Sequence, residues 1–178
     1  MKRLACLAAV LAFSVAGAAA AQQRARFADP PSALTEDGIA AWVGAHIELG
    51  PYKLVASTDE SSEFIVVSPY QELIGSDSIR AWIRVEYFNP QVVGDTTYRS
   101  ENVLREFDCK ERRYRTLASD AYPLLNLQGT VDSHDEQAPT WEYLRPVDIE
   151  RAELRAACAI RAEQIAAQIK RLREAAQR

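Results

Sequence analysis

The sequence predicts an α+β domain in which a run of antiparallel strands precedes one long helix. Three observations predict it. From Tyr52 to about Cys109, apolar residues recur at every second position between turn-forming clusters. From Ile149 to Arg178 there is neither Gly nor Pro, and Ala, Arg, Glu and Gln dominate. Strands come first and the helix last, without alternating strand–helix units, which is the α+β order.

The first element is an expected export signal, residues 1–21. Lys2 and Arg3 form its charged end, Leu4 to Ala16 its apolar stretch, and Ala18 to Ala21 the small residues of a cleavage site before Gln22. The apolar part is short for a bilayer span, so removal is favoured over an uncleaved anchor. No later stretch is apolar enough to span, and a soluble exported protein, periplasmic or secreted to the cell surface, is expected. No cysteine follows the apolar stretch to carry a lipid; Cys6 lies near its start. Removing the leader takes Lys2 and Arg3 away and moves the formal charge from −4 to −6. That sign excludes sequence-independent nucleic-acid binding, which needs a basic face to displace counterions.

Residues 22–51 read as a lead-in. Pro30-Pro31 interrupts any periodicity, and Thr35 to Leu49 then carries Ile39, Trp42, Val43, His46 and Ile47 at helical steps. Thr35 is the expected N-cap and Gly50-Pro51 the stop. Gly38 and Gly44 work against that helix, and His46 on its apolar stripe is expected to be core or half-buried.

Tyr52 to Thr58 and Glu63 to Ser68 read as strands about the turn Asp59 to Ser62. After a turn at Gly75-Ser76-Asp77 comes the clearest strand, Ile79 to Phe88. Ile79, Ala81, Ile83, Val85 and Tyr87 point one way; Arg80, Arg84 and Glu86 point the other, with Trp82 and Phe88. One buried and one largely solvated face are expected. Asn89-Pro90 should break this strand. Tyr98 to Cys109 and Arg112 to Ala118 follow as strands, Asp132 to Pro139 as a polar loop, and Trp141 to Leu144 as a last strand. Asp148 is the expected cap of the final helix.

The leader holds one of the three cysteines, leaving Cys109 and Cys158. In an oxidising compartment an even pair suggests a bridge, with two separate buried thiols as the competing reading. Within the helix, Leu154, Cys158, Ala162, Ile165, Ile169, Leu172 and Ala176 form a stripe about 80° wide. Ile165, Ile169 and Leu172 lie beyond the cysteine and are the candidate stripe for homodimer formation, unless the helix folds back on its own sheet.

No catalytic, cofactor-binding or metal site is expected. Gly-x-Ser-x-Gly, Ser-x-x-Lys, His-Glu-x-x-His and a phosphate-binding glycine loop are all missing from the sequence. Asp132-Ser133-His134-Asp135-Glu136 has metal-binding atoms in one short stretch, without spacing that would aim them at one point. The densest positive charge runs from Lys110 to Arg115. Arg112, Arg113 and Arg115 form either a patch for an acidic partner or the charged strand of a protected sheet edge.

Read in order, these segments resemble the surface-adhesin protein E family of small exported bacterial domains. The resemblance rests on Arg80-Ala81-Trp82-Ile83-Arg84-Val85-Glu86-Tyr87, on Phe107-Asp108-Cys109-Lys110-Glu111-Arg112-Arg113-Tyr114-Arg115, on Trp141-Glu142-Tyr143-Leu144-Arg145-Pro146, and on the helix that delivers Cys158. It sets a domain at 52–160, followed by a helical tail at 161–178. It implies an antiparallel sheet of about six strands with the C-terminal helix on one face, tethered by Cys109–Cys158. It also implies a non-enzymatic binding module whose partner is a host matrix protein, vitronectin or laminin. The missing lipid anchor and the added tail instead favour an envelope protein as partner, in a structural or assembly role.

Overall fold

The computed structural model describes residues 28–67, 77–145 and 148–177. The expected export signal lies outside the described residues. Helix α1 spans Glu36–His46, and α2 spans Glu150–Ala176. Between them lie β1 (Lys53–Ser57), β2 (Ser61–Val67), β3 (Ser78–Val93), β4 (Thr96–Asp108), β5 (Arg113–Tyr122), β6 (Asp132–Asp135) and β7 (Glu142–Tyr143). All pair antiparallel in the order β1-β2-β3-β4-β5-β6, with β7 on β5 beyond the end of β6. From β1 to β6, neighbours in sequence are neighbours in the sheet, as short connections favour.

Helix α2 covers one face. Leu154 and Ala157 pack on Ile65, Ile79, Ile83 and Phe107. The disulfide Cys109–Cys158, with Cα atoms 5.7 Å apart, joins the end of β4 to this helix. Both the tether and the face agree with the expectation.

The opposite face is not solvated as expected. Phe64, Phe88 and Leu125 form a second core with Trp42, Val43 and Ile47 of α1 and its exit. Arg84 and Glu86 are consequently buried, at 4% and 0% exposure. Alternation locates the two faces of a strand but not a helix that returns to cover the polar one. Helix α1 starts as expected: Thr35 Oγ1 accepts a hydrogen bond from Gly38 N at 3.2 Å. It ends at His46, before the expected Leu49, and Ile47 is already extended.

Four further expectations are corrected. Strand β3 runs through Asn89-Pro90 to Val93, because a register shift between Glu86 and Gln91 places Pro90 where no ladder hydrogen bond is needed. Asp132 to Asp135 is a strand, held by main-chain pairing to β5 and needing no apolar side chains. Asp148 does not cap α2; its carboxylate takes the Arg145 N–H at 2.7 Å, and the cap residue Ile149 offers no side-chain bond. His46 is exposed, its ring 5.3 Å from that of Trp42. The helix ends there, and the ring stays exposed.

Candidate binding surface

The β4–β5 turn organises the basic run. Asp108 Oδ1 accepts from the N–H groups of Lys110 (3.1 Å) and Glu111 (3.0 Å), and Arg112 takes φ 56° to reverse the chain. Arg113 and Arg115 flank the core-facing Tyr114, so both leave on the face away from α2. There Arg113 pairs with Asp108 at 3.1 Å and Arg115 with Glu106 at 2.8 Å. Burial pulls the Glu106 and Asp108 carboxyls upward, but hydrogen bonds from Arg115 and Ser78 to the first, and from Glu111 N–H and Arg113 to the second, hold both below the usual range.

Trp141 contributes an aromatic plate. The guanidinium carbons of Arg113 and Arg115 lie 4.7 and 4.6 Å from its ring centre. Tyr143 stands beside Arg113 at 68% exposure, and Arg113 Nη1 donates to its hydroxyl at 3.4 Å. The three arginines are therefore unequal. Arg113 and Arg115 are tied to acids, while Arg112 is exposed and forms no ion pair among the described residues. Strand β5 is internal, lying between β4 and the outer pair β6 and β7, so it protects no edge.

Two polar clusters lie beneath the helices. Under α2, Arg105 pairs with Glu153 at 0% exposure, and Glu63 is buried against the same group. Burial first, and the Glu153 charge second, push the Glu63 carboxyl up to about 9. Under the exit of α1, Arg84 lies between the rings of Tyr52 and Phe64, bonds Glu86 at 2.5 Å, and donates to Glu48 O and Asn126 Oδ1 at 2.7 Å each. Asn126 N donates to both Glu86 oxygens at 3.0 and 3.1 Å. These clusters join each helix to the sheet beneath it.

The remaining sequence candidates stay apart from this surface. His134 and Glu136 come within 3.9 Å, both well exposed, and the described residues contain no group of three or more ligands placed for a metal. On α2, Ile165 is half-buried, Ile169 is 38% exposed and Leu172 58% exposed. No helix among the described residues is long and apolar enough to cross a membrane. Sequence reasoning placed Trp141 in the last strand but gave neither Trp141 nor Arg151 a binding role. The alternation of Arg113 with Arg115, and of Trp141 with Tyr143, was a signal for one shared face.

The family model for surface-adhesin protein E matches residues 54–159. The chain belongs to the surface-adhesin protein E family. Two solved structures of Haemophilus influenzae protein E are similar to it. The first is 14% identical with a TM-score of 0.48, covering 75% of this chain and 92% of that one. The second, crystal form II, has the same identity and score and covers 63% and 90%. No curated protein matches. The part matched to surface-adhesin protein E contains the sheet from Leu54 of β1 through β7, the disulfide and the arginine–tryptophan stack, and it stops before Ile165.

Proposed function

We propose that the chain is an exported, non-enzymatic binding module whose partner is a protein of the host extracellular matrix, vitronectin or laminin. The family match over 54–159 carries this reading. The disulfide supports export, since such a bridge persists only where thiols are not kept reduced. Two experiments test it. Protease added to intact cells digests a surface protein, whereas a periplasmic one survives until the outer envelope is opened. The purified mature chain retains immobilised vitronectin or laminin, and retention of neither overturns the matrix reading.

A second reading is favoured by the exposure of Ile169 and Leu172. In it the protein has an envelope-assembly role and α2 pairs with a second copy. Sedimentation gives the mass directly. Truncation after Ile160 converts a dimer to a monomer, and a monomer-like mass both before and after truncation removes the idea.

A further inference from the structure

Where the β4–β5 turn, β7 and the first turns of α2 meet, there is a hollow of about 300 Å³ lined by Glu111, Arg112, Tyr143, Leu144, Arg151 and Leu154. Two arginines reach it from different elements, Arg112 from the turn and Arg151 from α2. Neither forms an ion pair among the described residues, although the field of Asp148 reaches Arg151. Asp148 itself is occupied by Arg145, at 3.0 Å. The basic run next to the hollow spends its other arginines on Asp108 and Glu106. The two cations of the hollow's lining, Arg112 and Arg151, are thus both unmatched.

We infer that this hollow binds an acidic peptide segment of a partner protein, taking one carboxylate between Arg112 and Arg151 and an adjacent apolar side chain against Leu144 and Leu154. Guanidinium groups receive carboxylates through paired, charge-assisted hydrogen bonds, which fix direction as well as charge. The apolar lining explains why an acid alone is not the whole ligand. Glu111 on the rim disfavours a second closely spaced anion. A sulfated glycan would need a continuous track of unmatched cations, and Arg113 and Arg115 are already matched. This assignment deepens the binding-module reading and rests on it.

The test is a titration of the isotopically labelled, disulfide-intact mature chain with acetyl-Gly-Glu-Leu-Gly-amide, followed by amide shifts. The Gln-for-Glu peptide and a heparin hexasaccharide serve as comparison probes. Shifts confined to Glu111 and Arg112, Tyr143 and Leu144, and Arg151 to Leu154 are expected. The Gln peptide should bind about tenfold more weakly, as should the Glu peptide to Arg112→Gln or to Arg151→Gln. Arg112 is exposed at a turn, so its variant tests the site even if the helix variant folds poorly. Arg171→Gln, far along α2, should leave binding unchanged. Equal affinity for the two peptides, shifts elsewhere, or no shift at millimolar peptide overturns the inference. Tighter binding of heparin at the same residues replaces the peptide with a glycan and also overturns it. Matrix binding that is equal for the unaltered chain and Arg112→Gln, with no peptide binding to the unaltered chain, would refute the hollow and leave the binding-module reading standing.

Discussion

Glu63 and Glu153 meet at the seam between β2 and α2 with one arginine between them, and that shortage of positive charge gives the seam a pH dependence. Glu63 ionises at about 9 in the folded chain against a usual 4.5. The folded state therefore holds a proton that the unfolded state has already released, and this group's stability is full below 4.5 and falls as pH rises towards 9. Glu63→Gln removes the ionisation and keeps a donor towards Glu153. We expect it to raise stability at pH 7 by about 1–3 kcal/mol and to flatten the loss between pH 5 and 9, read by urea denaturation at each pH. Asn126 is the second residue with a disproportionate role. At φ 64° it donates to Glu86 and to His46 O and accepts from Arg84 and from Glu48 N. Asn126→Ala removes the side-chain bonds to His46 O, Arg84 and Glu48 N, keeps the main-chain donation to Glu86, and strains the backbone; it should cost about 2–4 kcal/mol by the same measurement.

Helix α1 shows how one residue type plays opposite parts within an element. A Cβ on Gly38 would sit 2.2 Å from Ala33 O, whereas one on Gly44 would meet nothing within 4 Å. Gly44→Ala should therefore stabilise by about 0.5–1 kcal/mol through helix propensity, and Gly38→Ala should destabilise by displacing the lead-in; paired thermal melts check both. Helix α2 is divided differently. Its first turns are buried under the sheet and tied by Cys109–Cys158, while residues 171–177 are exposed throughout. Replacing both cysteines by Ser frees a loop spanning a sequence separation of 49. The chain-entropy estimate is a loss of about 4 kcal/mol, read as a lower denaturant midpoint. Alkylation of the unreduced, denatured chain should label neither Cys109 nor Cys158.

Across the whole molecule, two sets of carboxyls oppose one another. Burial pushes Glu86 up to about 7 against the pull of Arg84, and Glu63 further, so both withdraw stability as pH rises from 4.5. Glu106, Asp108 and Asp148 are held low, so their contribution is present above the usual carboxylate range and disappears as pH falls through it. Thermal stability should accordingly peak near pH ~5 and decline on both sides, and a maximum at pH 8 would contradict this arrangement. Much of the architecture was legible in the residues. Two-residue alternation marked β1 to β5, the helical stripe marked α2, and the cysteine pair joined them. Alternation reports only local geometry, however. It could not reveal that α1 returns to bury Arg84 and Glu86, that β3 continues past Pro90, or that Asp132 to Asp135 finds a partner strand. The candidate site was half legible: the basic run stood out, but which of its arginines remain unmatched depends on Asp108, Glu106 and Trp141. By itself the sequence determined the order of strands and helix, because that follows from local periodicity and residue type; the even cysteine pair suggested the disulfide, and the order of the quoted segments pointed to the family by resemblance. Only the tertiary structure decided which charges are matched and which are left open, because pairing depends on distances between residues far apart in the chain.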